Sequence, residues 1–186
     1  TRELALAQEA IIESMASLTE TRDPETGGHI KRTQHYVRIL ADALRERARN
    51  RSVLSAEDVE LLYTSAPLHD IGKVGVPDHI LLKPGKLTGE EFEIMKRHTE
   101  YGRDAILAAM KKLANGSYLQ TACDIAHTHH ERWDGSGYPL GLSGENIPLS
   151  GRLMALEDTY DALTSRRVYK PPMSHDSAAR VIVDSA

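Results

Sequence analysis

Cysteine is nearly absent from this 186-residue chain, with Cys123 standing alone. An internal disulfide and an all-thiolate, four-cysteine metal site are thereby excluded, and the composition fits a reducing, cytoplasmic setting. Aromatic residues make up only 5%, and Phe92 and Trp133 are the single phenylalanine and tryptophan. The core must therefore rest on Leu, Ile, Val, Ala and Met, a mixture that suits closely packed helices. No run of about 18 apolar residues could cross a membrane, and the first residues do not read as a secretory signal. A basic excess is missing too: 23 Lys and Arg face 27 Asp and Glu, for a net charge of -4. That balance argues against a generalised surface for DNA or RNA. Neither β-type alternation, internal repeats nor low-complexity tracts occur.

Helical periodicity runs through most of the sequence instead. Leu4, Ala7, Ile11, Met15 and Leu18 share one stripe, so residues 1–20 read as a helix that continues an upstream connector. The stretch TRDPETGG is turn-rich, and a second helix is expected from about His29 to Asn50, with Tyr36, Val37, Leu40 and Leu44 inward. Ser55 and Asp58 form a capping-box pattern for a third, expected to reach His69 and Asp70 with its last turn kinked by Pro67. Residues 76–85 read as a connector, and Thr88 with Glu91 caps a helix expected to hold Ile94, Met95 and His98. More helices are expected over residues 103–113, 118–133 and 149–165, and from Ser174 onward. Four glycines make residues 134–146 a loop. The expectation is an all-α domain over residues 21–186, cut from something longer at both ends.

Nine histidines are present, eight of them between His29 and His130. His29, His69-Asp70, His98, His129-His130 and Asp158 fall on successive helical segments. Imidazole nitrogen with carboxylate oxygen suits borderline or hard divalent ions such as Fe, Mn, Zn, Ni or Co. Neighbouring residues on a helix diverge by about 100°, so His69 and Asp70 would bracket one ion or reach two from a helix end. A carboxylate can give each oxygen to a different ion, which makes Asp70 the natural bridge. Two ions would clamp a bridging water, lower its pKa and neutralise a phosphodiester under attack. Glu25 lies four residues before His29 and would join the cluster if the helix starts early; as an ordinary first-turn carboxylate it reads equally well. His35, His79, His127 and His175 read as structural or surface residues, with His127 also placed to orient a ligand. Lys73, Arg166, Arg167 and Lys170 offer cationic neutralisation for an anion, although a surface basic patch explains the last three as well.

The segments HDIGKVGVPDHILLKPGKLTGEEFEIMKRH, HHERWDGSGYPLGLSGENIPLSGR and DTYDALTSRRVYK together resemble the HD-GYP family of the HD phosphohydrolase superfamily, over about residues 20 to 172. The resemblance implies an all-helical bacterial phosphodiesterase that hydrolyses cyclic di-GMP to pGpG or GMP. It makes His29, His69, Asp70, His98, His129, His130 and Asp158 metal ligands, with Asp70 bridging two divalent ions, most naturally Fe or Mn. Glu25 matches the carboxylate of three-metal members. Lys73 resembles the lysine beside the attacked phosphate, Arg167 and Lys170 resemble phosphate and nucleotide contacts, and Asp161 matches a ligand-orienting or substrate position. Gly137-Tyr138-Pro139 is the signature loop, implied to shape the substrate region and to dock GGDEF-type cyclases, although Tyr138 alone reads equally as a packing aromatic. An upstream receiver or sensory domain is implied, and a homodimer is compatible. The sequence departs from the pattern at Glu157, where a small residue is usual, at Val168, where proline is common, and after Ala186, where further helix is usual. Another cyclic dinucleotide or nucleotide as substrate, or a weakly active binding module, stands beside the leading reading.

Overall fold

The computed structural model describes residues 2–22, 28–47, 54–112, 117–165 and 171–184. Among them lie nine α-helices: α1 (Arg2–Arg22), α2 (His29–Glu46), α3 (Ala56–Ser65), α4 (Asp78–Leu81), α5 (Gly89–Lys96), α6 (His98–Met110), α7 (Ser117–Thr128), α8 (Leu149–Thr164) and α9 (His175–Asp184). Short 3-10 turns fill Ala66–Leu68, Ile71–Gly75 and Gly144–Asn146. No strand occurs among the described residues, so the all-α expectation holds. None of the described helices is long and apolar enough to cross a membrane.

Helix α7 sits at the centre because its residues are small or branched on two faces. Ile125 packs with Val37, Ala41, Val59, Leu62, Leu153 and Met154 of α2, α3 and α8. Ala122, Cys123 and Ala126 face the other way, onto Ile12, Leu68 and Ile106. Burying each larger side chain contributes roughly 1.5–3 kcal/mol, so these two clusters fix where the end of α7 points. His129 and His130 follow at that end.

Several boundaries differ from the expected ones for local reasons. The capping box of Ser55 and Asp58 forms, but α3 stops at Ser65 rather than at Asp70. Pro67 has no N–H to continue an α-helical ladder, and the chain tightens into a 3-10 turn in which the His69 N–H donates to the Ala66 carbonyl at 3.2 Å. Thr88 and Glu91 also make their capping box, but the helix breaks at Arg97, and His98 opens α6. The connector contains the short α4, α2 ends at Glu46, and α7 ends at Thr128 rather than near Trp133. In α1 the apolar stripe is not the buried face: Ile12, Ala16 and Thr19 are buried, whereas Ile11, Met15 and Leu18 are exposed.

Two close approaches position the site. Gly28 is left-handed and brings no side-chain cap, and the first N–H of α2, on His29, donates to the Glu20 carboxylate of α1 at 3.1 Å. At Gly72 a Cβ would lie 1.9 Å from the His98 carbonyl oxygen, so only glycine lets the Ile71–Gly75 turn rest on the start of α6. Gly72→Ala should therefore lower the melting temperature by several degrees and reduce divalent-ion uptake, whereas Gly89→Ala, whose Cβ meets nothing within 4 Å, should leave both unchanged. Thermal denaturation by circular dichroism with metal analysis checks the pair.

Glu157 on α8 is buried, and burial followed by the charge of Asp161 pushes its carboxyl up to about 7. The unfolded chain loses this proton near the ordinary carboxylate value, while the folded chain keeps it until about pH 7, so folding stability falls across that interval. Glu157→Gln should match wild type below pH 4.5, pull ahead as pH rises toward 7, and hold a constant advantage above it. Melting temperatures of chelator-treated protein at pH 4 to 8 measure the gap, and a gap independent of pH would contradict the assignment.

Candidate metal centre and cleft

Seven of the residues singled out by sequence converge on one place. Their donor atoms form two groups, Asp70 with His98, His129 and His130, and His29 with His69 and Asp158, with ligand atoms inside each group within 4.8 Å of one another. Asp70 joins them. Its Oδ1 faces Nε2 of His98 at 3.4 Å and of His129 at 3.6 Å, while its Oδ2 faces Nε2 of His69 at 3.3 Å. In the second group, His29 Nε2 lies 3.3 Å from His69 Nε2 and 3.6 Å from Asp158 Oδ1. His69 and Asp70 can serve different directions because the chain has left α-helical geometry after Ser65.

The imidazoles are oriented from behind. Nδ1 of His69 meets the Ala66 carbonyl at 2.9 Å, that of His98 the Met95 carbonyl at 2.8 Å, and that of His129 the Ile125 carbonyl at 3.0 Å. A carbonyl only accepts, so each Nδ1 carries the proton, and in the neutral ring Nε2 presents its lone pair to the cluster. His29 Nδ1 is held by Asp161 Oδ2 at 2.7 Å. Lone pairs of His98 and His129 meet 3.4 Å apart, and the Asp70 Oδ1 atom is buried with no hydrogen-bond partner. Facing acceptors and an orphaned carboxylate oxygen repel one another unless a cation lies between them. Ions with ligand distances of about 2.0–2.2 Å separate their donors by roughly 3–3.6 Å, so the residues present fit divalent metal.

Charge follows the same pattern. Burial pushes His98 down to about 4, and burial with the neighbouring His129 and His98 holds His130 well below the usual imidazole range. Burial also opposes charge on His69, but Asp70 outweighs it and lifts His69 to about 9. Burial opposes ionisation of Asp70 as well, yet Lys73 and then His69 hold its carboxyl well below the usual value. The group around His98 and His130 is thus ready to donate lone pairs at neutral pH, whereas an ion entering beside His69 must displace a proton.

Asp161, expected to orient a ligand or to meet substrate, lies behind His29. It is 2% exposed, and besides His29 it accepts from Arg32 Nε at 2.6 Å, Arg32 Nη2 at 3.0 Å and Ser165 Oγ at 3.0 Å. A two-pronged guanidinium contact fixes this carboxylate against His29 Nδ1. Arg32 was not singled out from sequence; its position one turn beyond His29 is the only signal. Glu131, the third residue of HHE, was also passed over. It is buried and accepts the N–H groups of Leu140 at 2.7 Å and Leu142 at 2.9 Å, which ties the glycine-rich loop to the end of α7.

The loop lays Tyr138 on the cluster. Its ring stacks on His130 at 4.7 Å, the Tyr138 N–H donates to the His130 carbonyl at 3.2 Å, and burial pushes the phenol up. A cleft of about 320 Å³ opens beside it, lined by His129, His130, Asp158, Gly137 and Tyr138. Lys73 reaches the same cluster with its ammonium 2.7 Å from Asp70 Oδ2. Glu25, Arg167 and Lys170 lie outside the described residues.

Comparison with known proteins agrees with this arrangement. The family described as HD domain matches residues 11–186. The chain is 54% identical to a cyclic di-GMP phosphodiesterase of Vibrio cholerae over 184 residues, which are 99% of this chain and 37% of that protein. It is 46% identical to a cyclic di-GMP phosphodiesterase of Thermotoga maritima over 172 residues, 92% of this chain and 43% of that one. It is also 40% identical to 3'3'-cGAMP-specific phosphodiesterase 2 of Vibrio cholerae, over 89% of this chain and 29% of the relative. The chain therefore spans roughly two-fifths or less of these relatives. With a matching profile over nearly its whole length and the His-Asp cluster in place, the chain belongs to the HD domain family.

Proposed function

We propose that the chain is the HD-GYP-type catalytic region of a metal-dependent phosphodiesterase that hydrolyses cyclic di-GMP to pGpG or GMP. The observation that carries this reading is the division of Asp70, one oxygen toward His98 and His129 and the other toward His69. Relatives named cyclic di-GMP phosphodiesterases, at 54% and 46% identity, support the substrate. The nitrogen and oxygen donors suit divalent ions such as Fe, Mn, Zn, Ni or Co, two of them in the two groups with a third if Glu25 ligates, and the resemblance to the HD-GYP family favours Fe or Mn.

When bound, such ions supply Lewis-acid charge at the phosphate and an acidified water. The protein's part is placement. Asp70 and the imidazoles, held by their carbonyls and Asp161, keep the donor set rigid. Lys73 neutralises a nonbridging phosphate oxygen and delivers a proton to the departing 3'-oxygen, from a position fixed by its ion pair with Asp70. Tyr138 walls the cleft on the His130 side and keeps bulk water off the attacked phosphorus. Arg167 and Lys170 add cationic contacts to the remaining phosphate and nucleotide. The loop carrying Gly137 and Tyr138 is the proposed docking face for a GGDEF-type domain, and an upstream receiver or sensory domain is the proposed source of input. A second substrate reading, 3'3'-cGAMP, is favoured by the relative of that specificity at 40% identity.

Protein purified anaerobically and loaded with Fe(II) or Mn(II) should convert cyclic di-GMP to pGpG or GMP by liquid chromatography, at two to three ions per chain. Absence of both products under both metals overturns the activity. Parallel incubation with 3'3'-cGAMP ranks the substrates.

Asp70→Ala removes a donor from both groups at once. It should lower the bound metal by more than one equivalent and reduce turnover at least a hundred-fold, with helical content kept; His98→Ala should deplete one group and leave the other loaded. Unchanged metal content in Asp70→Ala protein would rule out the bridging assignment.

A further inference from the structure

Resting on the phosphodiesterase reading above, we infer that Phe92 on α5 is a stacking platform for a purine base of the substrate, with Lys96 directed at that base's acceptor edge. Phe92 is the chain's only phenylalanine, and α5 buries none of its eight residues. The ring is 44% exposed, yet it does not lie on an open surface: it lines the same cleft as His129, His130 and Asp158. It stands edge-on to Tyr138 with centroids 5.9 Å apart, extending outward the row His129, His130, Tyr138. The Lys96 ammonium lies 5.3 Å from the Phe92 centroid and 5.7 Å from that of Tyr138.

A large apolar ring left half-exposed at the mouth of a polar cleft, beside Tyr138, offers its face to a flat group bound there. The platform is also held still. The capping box of Thr88 and Glu91 and the Lys83–Glu91 ion pair fix the start of α5, and Glu93 holds the Lys96 ammonium at 2.6 Å. A phosphodiester held at the ion groups must extend its nucleoside into the remaining space of the 320 Å³ cleft, where this ring supplies a π face. An ammonium beside the face pairs with the O6 and N7 acceptors of guanine and meets an amino donor on adenine. The platform thus takes either purine, and Lys96 favours guanine.

The test uses metal-loaded protein with cyclic di-GMP for turnover, and a cyclic dinucleotide carrying 2-aminopurine for fluorescence quenching on stacking. Phe92→Ala and Phe92→Leu should raise KM for cyclic di-GMP roughly ten-fold or more, leave kcat and metal content near wild type, and abolish quenching, with Phe92→Tyr restoring KM and quenching. Lys96→Met should narrow the preference for cyclic di-GMP over 3'3'-cGAMP without loss of quenching. Unchanged KM and quenching in both Phe92 variants overturns the platform, as does loss of metal in Phe92→Leu, which would mark a merely structural ring. Quenching that needs Phe92 without any linear product would keep the platform and defeat the hydrolysis. Product from wild type with indifferent Phe92 variants does the reverse, and no binding by wild type overturns both.

Discussion

Everything in this molecule turns on one carboxylate shared between two sets of imidazoles. Asp70 is ionised where burial should neutralise it, because Lys73 and His69 flank it. Its two oxygens are spent on different neighbours, and Oδ1 is left without a hydrogen-bond partner inside the protein. Such an atom destabilises a fold by itself, by an amount on the order of a lost charged hydrogen bond. The surrounding helices tolerate it because they are built to be neutralised from outside.

The scaffold's task is consequently to hold lone pairs close together against their own repulsion. Carbonyls at Ala66, Met95 and Ile125 do this for three imidazoles, and each belongs to the residue three or four positions earlier in the chain. Backbone geometry thus aims these rings without needing any distant side chain. His29 is the exception, since its Nδ1 meets a side chain instead of a carbonyl. Asp161, reached from α8 and steadied by Arg32, takes the place of the carbonyl, and Glu20 of α1 accepts the His29 N–H. The least locally determined ligand is the one tied to the most other elements.

That distinction explains what could be read in advance. The two capping boxes, the helical periodicity of α2 and α8, and the histidine-aspartate set are local patterns, and they stand in the sequence in plain order. The end of α3 was misjudged because Pro67 does more than kink: with its N–H missing, the chain adopts a different turn, which frees Asp70 to face two ways. The stripe of α1 is shifted by one residue from the buried face, since Ile11 and Ile12 are equally apolar and only packing against the 66–68 and 71–75 turns decides between them. Arg32 with Asp161 and Glu131 with the loop amides are pairings across space, with 129 residues separating the first. Beyond the position of Arg32 one turn after His29, spacing carries no trace of them.

Charge ties metal and substrate together. Around the cluster, three carboxylates, Asp70, Asp158 and Asp161, face Lys73, Arg32 and the His69 imidazole that Asp70 lifts to about 9, and the whole chain is negative at -4. These charges roughly cancel, so this set of residues alone offers an anion no net attraction. Divalent ions in both groups tip that balance positive, because their charge exceeds that of the carboxylates that hold them. Under the proposed function, the acidic residues that attract cations hold an anion only through those cations, so phosphate affinity would follow metal occupancy. Lys73 serves both partners. Under the proposed function it neutralises Asp70 and meets the phosphate from that same position, fixed by the 2.7 Å ion pair.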